Sequence, residues 1–355
     1  MARRATGVGA ALRRLVALAI FGGLAACGVA AWLVMTPRQI SNEVIVDIPR
    51  GSGTRQIADL LAREGVLDSA LPFLAARLLQ PGRKLQAGEY AFSGEMSPWQ
   101  VFRKIARGEI YYREVNFPEG SNLFDMAEKL ESEGMLPGAA FRKAAMNPAL
   151  IRDIAPQAPS LEGYLFPATY RITKHTTPES LVKEMTARFR RAWKQAGGQG
   201  DVHQYVTLAS LVEKETGVGD ERTKVASVYR NRLDRGMKLD CDPTTIYAAL
   251  LEGRYRGTIY RSDLNNPHPY NTYQHPGLPP GPIANPGVQS LSAALKPAQT
   301  EYLFFVAKGD GSGGHVFSTS VEGHNKAVEN YRRAQKGKPT SPPAGSTGSG
   351  RSGGA

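Results

Sequence analysis

The segment 204–217, QYVTLASLVEKETG, carries two glutamates whose spacing on a helix makes them chemically unequal. Leu208, Leu211 and Val212 recur at helical spacing and mark one apolar face at about 100° per residue. Glu215 lies near the middle of that face, four residues after Leu211 and three after Val212. Glu213 points about 160° away, toward the side of Ser210. On this reading only one of the two carboxylates faces a core or a cleft wall. A carboxyl held against apolar surface is desolvated, so its charged form is disfavoured and it can hold a proton near neutral pH. That is the condition for a general acid acting on a glycosidic oxygen. A plainer role stands beside it: Glu215 pairs with an arginine or caps the next loop.

The helix read at 221–235 starts after Asp220 as N-cap and ends at Gly236. Its inward face carries Val225, Val228, Tyr229 and Leu233, and Arg232 falls on the same face. A charge there needs a carboxylate partner, as in a structural ion pair. Downstream come LDCDPTTIYAAL and then SDLNNPHPYNTYQHPGLPPGPIANPG. A long loop inside a domain is usually functional. Tyr270, Asn271 and Tyr273 offer aromatic rings with amide donors and acceptors, which suits the apolar face and hydroxyl rim of a sugar; the bland alternative is a rigid, proline-held surface loop. His268, His275, His315 and His324 are scattered and no HExxH occurs, so no metal site is expected. Cys27 and Cys241, the two cysteines, are far apart and have no zinc-type spacing, so neither a disulfide nor a metal is implied.

These residues need elements to hold them, and the chain begins with a different kind. Residues 15–35 contain no charge, about the length that spans a bilayer as a helix. Arg3, Arg4, Arg13 and Arg14 precede the run and no acidic residue does, so residues 1–14 form a basic segment on the cytoplasmic side and the rest of the chain lies outside. Trp32 suits an interfacial anchor. A cleaved signal peptide and a lipoprotein signal ending at Leu24-Ala25-Ala26-Cys27 are the alternatives; both also place the remainder outside the cytoplasm. Residues 36–42 read as a linker. Residues 336–355 are rich in Gly, Ser and Pro, lack aromatics, and read as a disordered tail.

Between linker and tail lies a weak internal repeat. VDIPRGSGTRQIADLLAREGVL begins at Val46 and VNFPEGSNLFDMAEKLESEGML at Val115, matching Pro49 with Pro118, Gly51 with Gly120 and Gly65 with Gly134. Each copy reads as a short strand, a Pro-x-Gly-Ser turn and an amphipathic helix, with the serine able to cap the helix and the later glycine able to close it. A second helix at 71–79, a strand around 85–92 and a helix at 97–107 complete a small mixed domain. The ordinary reading is two βα units; the functional one is a LysM-like glycan-binding module. The chain therefore divides into a membrane helix at 15–35, a module at 43–112 and a mixed α/β domain at 113–335, an α+β protein overall with its candidate glutamate on a helix.

The formal net charge of +12 draws the chain toward polyanions: nucleic acid, anionic headgroups or an acidic cell wall. No basic run is interleaved with aromatics in a nucleic-acid motif, so nucleic acid is not an expected partner.

The motifs SLVEKET at 210–216, ERTKVASVYRNRL at 221–233, DPTTIY at 242–247, YNTY at 270–273, GLPPGPIANPG at 277–287, GGHVFS at 313–318 and SLEGYLFPATY at 160–170 resemble the endolytic murein transglycosylases, the YceG-like family, in the right order along nearly the whole chain. The resemblance implies an inner-membrane lyase, requiring no cofactor, that cuts the β-1,4 bond between N-acetylmuramic acid and N-acetylglucosamine and leaves 1,6-anhydro ends. It implies peptidoglycan strands as substrate and peptidoglycan synthases as possible partners. It places the catalytic glutamate in the EKE segment at 213–215, where the helix-face reading selects Glu215, and it implies substrate contacts at Glu162, Asn231, Asp242, Tyr270, Asn271, Tyr273, Gly277, Leu278 and Pro279. The family usually has a small polar residue where Cys241 stands. A single glutamate suffices for this reaction, whereas hydrolysis needs two carboxylates, and Asp242 is placed to be the second. A wall-binding scaffold without catalysis is the other alternative.

Overall fold

The computed structural model describes residues 5–336 and is an α+β fold divided, over those residues, into two compact units, 5–114 with 171–175, and 115–170 with 176–336. The expected tail at 336–355 lies outside the described residues apart from Lys336, as do residues 1–4 of the basic segment. Helix α1 (Ala5–Met35) contains one stretch, Arg13–Met35, long and apolar enough to cross a membrane. It already includes residues 5–14 of the basic segment.

The first unit continues with β1 (Arg38–Ile48), α2 (Thr54–Arg63), α3 (Leu71–Leu79), β2 (Gly88–Met96) and α4 (Pro98–Arg107). The expected linker at 36–42 is corrected here: from Arg38 it is strand, paired antiparallel with the end of β2 as Arg38 with Met96. Alternation along β1 turns Val46 and Ile48 inward, where they meet Ile57, Leu61, Phe73, Tyr90, Phe92, Phe102 and Ile105 in one core. Ser97 and Gln100 form a reciprocal capping box at the start of α4, and Gly108 closes it in the left-handed conformation.

Strands β3 (Arg113–Asn116) and β4 (Thr169–Ile172) each run across the boundary between the units, and the second unit holds α5 (Leu123–Ser132), α6 (Gly138–Ala145), α7 (Pro178–Gln195), α8 (Val202–Glu215), α9 (Arg222–Asp234), α10 (Asp242–Leu251), α11 (Arg261–Leu264), α12 (Val288–Leu295), β5 (Phe304–Ala307), β6 (His315–Ser318) and α13 (Val321–Lys336). β3 pairs with β4, and β5 runs antiparallel to β6 with Phe305 opposite Phe317 and Ala307 opposite His315. α8 is the central helix, packed against α9, α10 and α12. Every residue from Val206 to Val212 is buried, so α8 has no solvent face over those two turns, and exposure returns only at its last residues, with Lys214.

Both repeat copies fold as strand, turn and helix, and Gly65 and Gly134 close α2 and α5 with positive φ. The serines do something other than cap. Ser52 and Ser121 bond back to the carbonyls of Pro49 and Pro118, tightening the turn, while the N-caps are Gly53 and Asn122. Asp220 likewise is not the cap of α9: a 3₁₀ turn over Gly219–Glu221 intervenes and Glu221 takes the cap position.

Candidate functional site

Glu215 is the last residue of α8, where the helix gives way to extended chain at Thr216. Its Oε1 accepts two hydrogen bonds, from the Tyr229 hydroxyl at 2.8 Å and from the Cys241 thiol at 3.1 Å. Its Oε2 has no protein hydrogen bond among the described residues, and the residue keeps partial exposure. Tyr229 comes from the inward face of α9. Cys241 sits immediately before α10, its backbone gripped by Thr272 and Thr244, and follows Asp240, whose φ of 49° is the lone positive value for a non-glycine among the described residues.

The electrostatics follow from this packing. Burial pushes the Glu215 carboxyl upward in pKa, ahead of the opposing hydrogen bonds from Cys241 and Tyr229; Asp242 adds to the rise and His315 offsets part of it. Burial also pushes the Tyr229 hydroxyl and the Cys241 thiol well above their ordinary values, so both remain protonated donors at neutral pH. The result is a carboxyl with one oxygen fixed by two neutral donors and the other open to carry a proton.

A second pair borders this one. The Glu221 carboxylate accepts the His315 backbone N–H at 2.9 Å and the His315 ring Nδ1 at 2.7 Å, fixing the start of β6 against α9. Desolvation pushes Glu221 up, but the hydrogen bonds from His315 bring it below the usual carboxylate range. The histidine of GGHVFS and the glutamate that opens ERTKVASVYRNRL both stand in recognisable motifs, but 94 residues separate them and no local pattern pairs them.

The expectation that Glu213 faces away from any enclosed surface is corrected. Glu213 is also buried, at 6% side-chain exposure, beside Arg222 at 3.7 Å and accepting the Gly287 N–H at 3.0 Å. The reason is that α8 is enclosed all round over Val206–Val212 and that the 277–287 loop continues this cover over Glu213, which meets Gly287 and not solvent. That loop is held down along its length. His203 bonds the Pro280 carbonyl while its other nitrogen takes the Tyr164 hydroxyl, and Ser210 accepts the Ile283 N–H. The Glu119 carboxylate lies over Gly287, where a Cβ would require it to move aside.

The other sequence-nominated residues separate into two groups. Asp242 and Tyr273 are together near Glu215: the Tyr273 hydroxyl donates to Asp242 Oδ1 at 2.7 Å, and Asp242 is exposed. Gly277 and Leu278 are half-buried and Pro279 is buried at the start of the held loop. Glu162 does not border an open surface. It is 1% exposed and ties three segments together, accepting from Leu123 N–H, the Tyr247 hydroxyl and the Asn285 amide. Burial lifts its pKa to about 8 in spite of those bonds. Asn271 is fully buried and spends its amide nitrogen on the carbonyls of Asp263, Leu264 and Asn266. Tyr270 packs inward on Tyr247. Asn231 bonds the carbonyls of Thr300 and Tyr302. For Asn271 and Asn231 the geometry is that of a clamp, because a side chain with its donors already placed on backbone carbonyls has none to offer a ligand, while Tyr270 is held by ring packing. Arg232 does find its carboxylate, Asp240 at 3.1 Å, together with the Leu303 carbonyl. No cluster of three or more metal-ligating side chains occurs among the described residues.

Comparison with known proteins adds to this geometry. The model of the YceG-like family matches residues 46–330. An endolytic murein transglycosylase of Bacillus subtilis (strain 168) is 33% identical over 309 residues, covering 81% of this chain and 84% of that protein. One from Streptococcus pneumoniae serotype 2 (strain D39) is 28% identical over 325 residues, but the chain spans only 58% of its length. The crystal structure of the yceG-like protein lmo1499 from Listeria monocytogenes is similar at 32% identity and a TM-score of 0.51, covering 81% of this chain and 99% of that one.

Proposed function

The chain belongs to the YceG-like family, and from that premise we propose that it is an endolytic murein transglycosylase in which Glu215 does the proton chemistry. The observation that carries this reading is the divided carboxyl of Glu215, with Oε1 fixed by Tyr229 and Cys241 and Oε2 open. Burial disfavours the charged form of the carboxyl, and from its protonated form Oε2 gives the proton to the glycosidic oxygen as the bond from N-acetylmuramic acid to N-acetylglucosamine breaks. The carboxylate left behind is stabilised by the same two donors. It then removes the proton of the muramic 6-hydroxyl as that oxygen closes on the anomeric carbon. The proton returns to Glu215, a 1,6-anhydro end forms, and no water is consumed.

Asp242 supports the hydrolytic alternative, since it is a second, exposed carboxylate close enough to raise the Glu215 pKa. Its bond from Tyr273 favours a positioning role. The two readings separate on variants of the full chain acting on wall sacculi. Glu215→Gln should abolish cleavage, and Asp242→Asn should slow it while leaving anhydro ends as the product. Reducing ends from the wild type, lost in Asp242→Asn, would establish the hydrolase.

The remaining parts of the reading are topological. Residues 36 onward lie outside the cytoplasm, supported by the arginines before the apolar run. The first unit is a LysM-like module, supported by its own compact core of two strands and three helices. Peptidoglycan synthases are the partners such an enzyme would meet at nascent strands.

A further inference from the structure

In the first unit, α3 is apolar on both faces. Phe73 and Ala76 are buried in the core, yet Leu71, Leu78 and Leu79 on the outside are 70%, 79% and 60% exposed. At helical spacing Leu71, Ala75 and Leu78 fall within about 60° of one another, with Leu74 and Leu79 on either side. A helix apolar all round, with Arg77 as its lone charge, is a helix with two apolar surroundings. The core supplies one of them.

The second is identified by what α3 lies beside. It packs against α1, the helix that spans the membrane in the reading above, as does α4. Val34, in the last turn of α1, is the residue of that helix that enters the unit's core, so the contact is at the helix end where it leaves the apolar layer. Next to the exposed leucines is a cavity of about 300 Å³ lined by Gln80, Arg83, Trp99, Arg103, Ala106 and Arg107. Arginines fork onto phosphate oxygens, and a tryptophan with one wet and one apolar edge suits the headgroup layer.

We propose that α3 lies in the outer-facing headgroup layer of the membrane beside α1, with its leucines among the acyl chains, and that the arginine-lined cavity takes the phosphate of an anionic phospholipid. The proposal rests on α1 being embedded. Apolar continuity with α1 and positive charge at the same level are both properties of a lipid-facing surface. A glycan strand could offer carboxylates to the arginines, but it has no apolar surface to cover three exposed leucines, whereas a phospholipid supplies both the phosphate and the acyl chains. In this arrangement the LysM-like unit is seated on the bilayer.

The test uses the full chain in nanodiscs carrying a photoreactive benzophenone residue at one position at a time. Probes at Leu78 and Leu71 should yield phospholipid adducts by mass spectrometry, and a probe at the exposed Arg50, past the end of β1 far from α1, should not. A probe at Trp32 reports whether α1 is embedded, so a failure of the membrane reading is separated from a failure of this one. In mixed zwitterionic and anionic bilayers, a probe at Trp99 should favour the anionic lipid over its bulk share by about fivefold for each basic residue engaged. Arg83→Glu with Arg103→Glu should return that ratio to the bulk value. Lipid adducts at Trp32 without any at Leu78 would overturn the proposal, as would Leu78 adducts formed only with added glycan fragments. An anionic share at Trp99 equal to bulk would overturn the headgroup site.

Discussion

Replacing Glu215 by Gln keeps the side chain's size and its contacts with α9 and removes its transferable proton. Turnover on wall glycan should fall by about 10²–10⁴-fold or more, since a positioned acid typically contributes that much and this one also acts as base. Fold should be retained, as checked by thermal unfolding. Glu213→Gln is expected to behave in the opposite way. Its carboxylate is buried beside Arg222 and holds the Gly287 N–H, so the change should cost about 1–3 kcal/mol of stability while activity per folded molecule survives. The two raised carboxyls also set a pH dependence. A carboxyl whose folded pKa lies above its unfolded value binds the proton more tightly when folded, so its contribution is complete below the unfolded value and is lost as pH rises through the folded one. For Glu162 that window runs from the ordinary value of 4.5 to about 8. Stability should therefore decline across it, by at most about 1.4 kcal/mol per pH unit from this group. Glu162→Gln should flatten the slope in thermal unfolding measured from pH 5 to 8.

At the scale of elements, the sequence placed Glu215 on the enclosed side of a helix but misjudged the helix. Three large apolar residues at helical spacing suggested a single face, yet Ala209, Ser210 and Thr207 are small enough to be buried on the others, and periodicity of large residues does not register them. The strand, turn and helix of each repeat were legible because glycines and prolines punctuate them. The partners of Glu215 were not, because Tyr229, Cys241 and His315 come from elements distant in sequence. The same limit explains Asn271 and Tyr270, whose composition suited a sugar but whose donors and rings are turned inward. One element-scale consequence is testable at Gly163, between Glu162 and Tyr164. Its φ is +85°, and a Cβ there would collide with Pro282 and Val206. Gly163→Ala should destabilise the chain by more than the about 1–2 kcal/mol of the left-handed penalty alone, read as a drop in unfolding temperature.

At the scale of the molecule, among the described residues one helix is long and apolar enough to cross a membrane, the first unit has its own core and the second is built around α8, an organisation that fits the proposed membrane-anchored enzyme. A reporter fused after Arg332 should be active only if it is of the exported type; activity of a cytoplasmic-only reporter there would contradict the topology. The most direct test of the central claim is the mass of the cleaved ends. Sacculi digested by the full chain should release glycan products whose muramic ends are lighter by one water than hydrolytic ends, and Glu215→Gln at equal folded concentration should release none. Reducing muramic ends from the wild type, or undiminished anhydro products from Glu215→Gln, would contradict the account.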